Sequence, residues 1–272
     1  MRSPSVITCI LFSALLCICK ASEQIVTIPS KLMSRKFKAS VVVPDSYDSS
    51  LKSYSVIYLL HGYGRDHKSW GTLVPLDKLS NKYQVIFVCP SGNRNSWYVD
   101  SPVKKNFLFA TYITREVVHF IDSTWRTHAT DKGRAVIGSS MGGHGALTIT
   151  AQNPDLFIGA GSISGIVDLN DFPNEWEIDR VLGPWQTSKE NWDSFSFIGM
   201  IDSLVKKERA LVIECGTDDP VLAGNRKAHE KMLSLEIEHD YYERPGNHTQ
   251  KYVKKVFEYH LLYFSRRLLE PR

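Results

Sequence analysis

Short apolar runs, each closed by glycine or proline, punctuate the chain. Val41 to Val43 runs into Pro44, and Ser55 to Leu60 into His61-Gly62. Val85 to Val88 stops near Pro90 and Gly92, Ala135-Val136-Ile137 at Gly138, and Leu211-Val212-Ile213 near Gly216. Runs this short and this continuous predict strands buried on both faces. A further strand is predicted at His239 to Glu243. Between the runs, Phe107 to Trp125 carries apolar residues at helical spacing, including Phe109, Ile113, Val117, Phe120 and Ile121. Met141 to Gln152, Ala223 to Leu235 and Gln250 to Arg267 are predicted helices too. Alternating strands and helices over most of the chain predict an α/β domain with a mostly parallel central sheet and helices on both faces. Val167 to Gly199 breaks the alternation, with Trp176, Trp185, Trp192 and two prolines. It reads either as an inserted lid on the substrate side or as an irregular connection whose tryptophans pack the core edge.

The N-terminus has another character. Arg2 precedes a nearly unbroken apolar run from Val6 to Cys19, followed by Lys20-Ala21-Ser22. A basic start, a short apolar core and a small residue at the end describe a secretory signal peptide, with cleavage expected after Ala21. The run is too short for the roughly 20 apolar residues of a spanning helix. A lipid-attachment reading of Cys17 or Cys19 is weaker, because Leu16 and Ile18 precede them. Residues 1–21 are therefore expected to be removed, leaving one domain over 22–272, secreted or periplasmic, without membrane insertion. That domain keeps Cys89 and Cys215, either as one disulfide or as two buried free thiols.

Charge narrows the partners. The net charge is +4, from 33 basic and 29 acidic residues in 272. Its densest basic runs, Lys104-Lys105 and Lys206-Lys207, are too short for a nucleic-acid stripe and read as solvated surface.

The sharpest local signal is Gly138-Ser139-Ser140-Met141-Gly142-Gly143. It contains G-x-S-x-G between a predicted strand and a predicted helix, the setting of a nucleophile elbow. There the serine hydroxyl projects from the sheet edge near a helix N-terminus. The bland alternative is a glycine-rich turn with no reactive serine. Serine at its free pKa needs a base, and the base needs an orienting acid. In the α/β-hydrolase arrangement the chain order is serine, acid, histidine. Asp219 or Asp218, in Glu214-Cys215-Gly216-Thr217-Asp218-Asp219-Pro220, follows a predicted strand and can supply the acid. His248, after Arg244-Pro245-Gly246-Asn247, sits on the last loop before the C-terminal helix. Of nine histidines, His119, His229 and His260 fall inside predicted helices and read as structural. His144, one turn past Ser140, faces the site or packs beneath it. The oxyanion donors are expected to be the Met141 N–H and, in His61-Gly62-Tyr63-Gly64, the Tyr63 N–H, with His61 holding the loop.

Leu59-Leu60-His61-Gly62-Tyr63-Gly64, Gly138 through Leu147, and Cys215-Gly216-Thr217-Asp218-Asp219 resemble the esterase D-like putative esterase family. This α/β-hydrolase group includes tributyrin esterases, S-formylglutathione hydrolases, feruloyl and acetyl-xylan esterases, and mycolyltransferases. The resemblance runs from about Phe37 to about Leu262. It implies an α/β-hydrolase fold and a triad of Ser140, His248 and Asp219, favouring Asp219 over Asp218. Trp97-Tyr98-Val99-Asp100-Ser101 resembles a segment lining the family's acyl cleft. Trp97, Tyr98 and His144 are thus expected to touch substrate, with a packed aromatic turn as the other reading of that segment. Pro220 departs from the aromatic or aliphatic residue common there. No metal or cofactor is expected: the chain lacks His-Glu-x-x-His, paired cysteine clusters and a dinucleotide glycine fingerprint.

The expected activity is hydrolysis of a carboxylic ester, the substrate a small molecule or a carbohydrate carrying acetyl or feruloyl groups. Export argues against S-formylglutathione, which needs a cytosolic thiol pool. The alternatives are acyl transfer of the mycolyltransferase type and an inactive member that binds carbohydrate or protein through exposed tryptophans. Asn247-His248-Thr249 is a glycosylation sequon whose glycan would crowd the base. Asn247 is therefore expected to be unmodified in active protein, which suits a bacterial exported chain. Peptide mass spectrometry of active enzyme checks this, and a glycan at Asn247 would contradict the assignment of His248.

Overall fold

The computed structural model describes residues 23–268; the expected signal peptide at 1–21 lies outside them. The centre is an eight-stranded sheet in the order β1-β2-β4-β3-β5-β6-β7-β8. Its strands are β1 Glu23–Ser30, β2 Arg35–Val42, β3 Ser55–Leu60, β4 Val85–Pro90, β5 Arg134–Ser139, β6 Gly159–Ile163, β7 Ala210–Gly216 and β8 Asp240–Arg244. β1, β2 and β4 pair antiparallel, and the pairs from β4 through β3 to β8 are all parallel. This is the α/β-hydrolase fold that the apolar runs and the motifs predicted.

β3 and β4 are buried at every position, which is why their sequences are unbroken apolar runs rather than alternating ones. Two strands escape the sequence pattern. β6 reads Gly-Ala-Gly-Ser-Ile, yet its small residues are demanded by its neighbours. A Cβ on Gly159 would lie 1.8 Å from the Ala210 carbonyl oxygen, and one on Gly161 2.6 Å from His260 Nδ1. β1 is an edge strand whose first residues face solvent, and only an edge tolerates Pro29. The predicted helix at Phe107 to Trp125 is present over 109–124, with a wide π turn at Tyr112–Val117 between Phe109–Thr111 and Val118–Thr124. Met141–Gln152, Leu222–Ser234 and Gln250–Leu268 are helices. None of the helices in the described residues is long and apolar enough to cross a membrane.

The core has two halves, one on each face of the sheet. Trp97, Phe109, Leu147 and Trp192 belong to one; Trp70, Val256, Phe257 and Phe264 belong to the other, beneath the C-terminal helix. Within 167–199 the three tryptophans have different surroundings. The segment folds into short helices at Asp179–Leu182, Lys189–Phe195 and Phe197–Met200. Trp192 is fully buried, its indole N–H donating to the Gly183 carbonyl at 2.9 Å. Trp185 is half-buried and donates to Asn170 Oδ1 at 3.0 Å. Only Trp176 reaches the functional cleft, so the three do not form an exposed stacking platform.

Cys89 and Cys215 are both free and buried. They lie on β4 and β7, four strand steps apart in the sheet. At about 4.8 Å per step that is roughly 19 Å, far beyond the reach of a disulfide. Burial also raises both thiols above their ordinary pKa. Native protein lacking residues 1–21 is expected to resist a disulfide-exchange thiol reagent such as DTNB at both positions and to titrate two thiols after denaturation. A colorimetric thiol assay with and without guanidinium checks this.

Candidate active site

Ser140 joins β5 to the helix Met141–Gln152 with φ 57° and ψ −121°, a conformation that costs a non-glycine residue roughly 1–3 kcal/mol. The turn is tight enough that a Cβ on Gly138 would lie 2.0 Å from the Gly142 carbonyl oxygen. One on Gly142 would lie 2.2 Å from that of Leu60. Glycine at both positions lets helix and strands meet. The Ser140 N–H donates to the Ile163 carbonyl at 3.0 Å, tying the turn to the end of β6.

Two other sheet-end loops converge there. His248 Nε2 stands 2.9 Å from Ser140 Oγ, and His248 Nδ1 stands 3.0 and 3.1 Å from the two carboxylate oxygens of Asp219. The Asp219 side chain has no solvent exposure, whereas that of His248 is 29% exposed. An ionised carboxylate only accepts hydrogen bonds, so the proton belongs on Nδ1. Nε2 then carries the lone pair that accepts from the serine hydroxyl. Asp219 is itself fixed: its N–H donates to the Gly216 carbonyl at 3.2 Å, and its Oδ1 accepts from the Val221 N–H at 3.1 Å. The structure separates the two candidate acids: Asp218 is exposed and meets the site only through its backbone, donating to the Gly246 carbonyl at 2.9 Å. Asn247, beside His248, is exposed.

The loop after β3 forms the opposite wall. A Cβ on Gly62 would sit 3.4 Å from Ser140 Cβ, so this backbone lies against the nucleophile. Neither the Tyr63 N–H nor the Met141 N–H finds a backbone acceptor among the described residues; Tyr63 lines the cleft, and Met141 is the buried residue that follows Ser140. His61 holds the loop from below. Its Nδ1 donates to the Gly62 carbonyl at 2.9 Å, while its Nε2 accepts from the Gly92 N–H at 2.9 Å. Such a donor–acceptor pair requires neutral imidazole, and burial lowers the His61 pKa to about 4.

Three expected substrate contacts are corrected. Trp97, Tyr98 and His144 have no exposed surface and do not line the cleft. Trp97 and Tyr98 both have φ 54°, which turns the aromatic pair inward beneath the loops. The Tyr98 hydroxyl donates to the His61 carbonyl at 3.1 Å, so it supports the loop after β3. His144 lies between the Trp97 and Phe195 carbonyls at 3.2 and 2.8 Å, and burial lowers its pKa to about 4. In the fully buried setting it ties the elbow helix to its surroundings.

The cleft above Ser140 and His248 has a volume of about 410 Å³. Trp70, Leu73, Val253 and Trp176 give it apolar walls, and Tyr63 and Arg65 a polar side. Trp70, Leu73, Arg65 and Val253 carried no local signal as cleft residues, because their faces are set by how helices dock across the sheet ends.

The family model described as "Putative esterase" matches residues 30–264. The chain is 31% identical over 242 residues to Esterase Rv1288 of Mycobacterium tuberculosis, covering 77% of this chain and 52% of that one. It therefore spans about half the length of that relative. It is 27% identical over 237 residues to an acetyl esterase of Caldicellulosiruptor saccharolyticus, covering 78% and 85%. With a mycolyltransferase Ag85A of Mycobacterium gordonae it shares 25% identity over 224 residues, covering 76% and 64%. Among solved structures it superposes on a ferulic acid esterase with a TM-score of 0.79 at 22% identity, covering 92% of this chain and 99% of the other. An S-formylglutathione hydrolase from Agrobacterium tumefaciens gives 0.79 at 18% identity, covering 92% and 96%.

The neutral buried histidines have a consequence for stability. Unfolded His61 and His144 take up protons near pH 6.5, while their folded forms do so only near pH 4. Between those values the unfolded state binds more protons, so stability falls as pH falls. The thermal midpoint is expected to drop from pH 6.5 to pH 4. His61→Gln, which keeps a donor and an acceptor but cannot charge, should flatten part of that slope in a calorimetric or circular-dichroism series.

Proposed function

The chain belongs to the putative esterase family, and from that premise we propose that it is an exported serine esterase using Ser140, His248 and Asp219. The observation that carries this reading is the unbroken hydrogen-bonded chain from Ser140 Oγ through His248 to Asp219, opening onto a cleft of about 410 Å³. Ser140 Oγ attacks the ester carbonyl carbon while His248 Nε2 takes its proton. The carbonyl oxygen, now an alkoxide, accepts from the N–H groups of Tyr63 and Met141. Loss of one such donor costs about 3 kcal/mol of transition-state stabilisation. Asp219 stabilises the imidazolium, which returns the proton to the departing alkoxide and releases the alcohol. Water then attacks the acyl-enzyme, with His248 again the base, and free acid leaves.

The substrate class is an ester of a carbohydrate or a small alcohol, carrying an acetyl or feruloyl acyl group. Similarity to a protein named acetyl esterase and to the ferulic acid esterase fold supports it, as do the aromatic and aliphatic walls of Trp176, Trp70, Leu73 and Val253, which suit a flat acyl group. The N-terminal basic and apolar pattern supports export. Acyl transfer is the second reading, favoured by the similarity to the Ag85A relative; it shares the acyl-enzyme and differs in the nucleophile that resolves it. A purely binding role loses its support with the burial of Trp192 and the partial burial of Trp185.

Hydrolysis of p-nitrophenyl esters from acetate upward, and of methyl ferulate, tests the proposal. Ser140→Ala and Asp219→Asn should each lower kcat by about 10⁴-fold or more, whereas Asp218→Asn should stay close to wild type. An alcohol acceptor that diverts acyl groups from water would favour the transferase reading. A wild-type protein inactive on all of these esters would refute the general-esterase reading and leave a donor-selective acyltransferase or a binding role.

A further inference from the structure

A fully buried acid unused by the mechanism lies beneath the two loops that carry Asp219 and His248. Glu214, near the end of β7, has no exposed surface. It pairs with the Arg244 guanidinium on the neighbouring strand. Its Oε1 also accepts from the Tyr252 hydroxyl at 3.2 Å. Its Oε2 faces His260 Nε2 at 3.5 Å, on the next turns of the same helix as Tyr252.

These partners stand at both roots of one loop. Arg244 closes β8 four residues before His248, and Tyr252 lies in the first turn of the C-terminal helix four residues after it. Arg244 is itself fixed between the rings of Tyr242 and Tyr259, at 4.7 and 4.6 Å from their centroids. Tyr252 fills the space under the loop: a Cβ on Gly246 would lie 2.3 Å from its ring. The same loop is stitched to the acid loop by two backbone bonds, Thr217 N–H to the Arg244 carbonyl and Asp218 N–H to the Gly246 carbonyl, both 2.9 Å. Glu214 thus grips both ends of the histidine loop from the strand that leads into the acid loop.

We propose that Glu214, through Arg244 and Tyr252, is the positioning residue that sets His248 against Asp219 and Ser140. The proposal rests on the serine-esterase reading of the site. A buried carboxylate is costly unless paired, and here the pairing is directed at the two roots of the loop. None of Glu214, Arg244 and Tyr252 lines the cleft, so their effect should fall on turnover and not on substrate binding. A displacement of about 1 Å at a catalytic group can cost about 10²-fold in rate.

Glu214→Gln and Tyr252→Phe test this, assayed on p-nitrophenyl acetate with active sites titrated by a fluorophosphonate. Per titrated site, kcat is expected to fall about 10- to 100-fold in Glu214→Gln and severalfold in Tyr252→Phe, with KM nearly unchanged. The downfield His248 Nδ1 proton in the NMR spectrum, identified by its absence in His248→Ala, should shift or broaden in both variants. A buried pair that only supports folding would lower the thermal midpoint and the fraction of titratable sites, but leave kcat per site and the His248 proton unmoved; that result overturns the proposal. If Glu214→Gln does not fold, Tyr252→Phe, which removes one oxygen, decides. Wild-type protein that neither hydrolyses the ester nor takes up the fluorophosphonate refutes the serine-esterase reading instead. The His248 proton, recorded without substrate, still decides the positioning role in that case.

Discussion

A serine held at φ 57° and ψ −121° is the constraint on which the rest of this domain depends. Such a conformation persists only where the surroundings over-determine it. Here they do so from three sides. β5 delivers the chain to Ser140, the Ile163 carbonyl holds its N–H, and the following helix is buried from Met141 to Ala151. Because that helix is enclosed nearly all round, it cannot rotate to relax the turn. Gly138 and Gly142 are the sequence cost of the arrangement, since no side chain fits where helix and strand backbones touch. The hydroxyl is thereby aimed out of the sheet edge before any substrate arrives.

Once the serine is fixed, the remaining geometry is a matter of which groups are allowed to carry charge. His61 and His144 flank the elbow but are enclosed and kept neutral by burial. His248 is partly open and set against a fully buried carboxylate. Three histidines near one serine thus differ in setting: neutral His61 donates from one ring nitrogen and accepts at the other, neutral His144 can donate to one of the two carbonyls it faces, and His248 alone lies between a serine hydroxyl and a carboxylate. The difference comes from what faces each ring, carbonyls and amides in two cases and Asp219 in the third.

The strands β3, β5 and β7 were legible because burial on both faces leaves an apolar run. Ser140 and His248 were legible because an elbow and a terminal loop carry local glycine and proline signals. β6 was invisible for the opposite reason: its Gly-Ala-Gly-Ser-Ile sequence is shaped by the crowding of β7 and His260, which no local pattern records. For Trp97 and Tyr98 the family resemblance pointed to a cleft wall and the bare residues equally to a packed aromatic turn, and the structure has the packed turn. Their positive φ values, which turn them inward, cannot be read from residue type. Trp70 and Val253 went unseen as cleft residues because helices far apart in sequence meet only in the folded domain.

The separation of Cys89 and Cys215 by four strand steps bears on where this fold can be made. With no covalent crosslink among the described residues, cohesion rests on the two-sided core and the sheet alone. Such a domain is indifferent to the redox poise of its compartment. It can reach the same native state in a reducing cytosol as in an oxidising exterior, without an isomerase to sort its thiols. Burial also leaves neither sulfur open to wrong partners once the domain has folded.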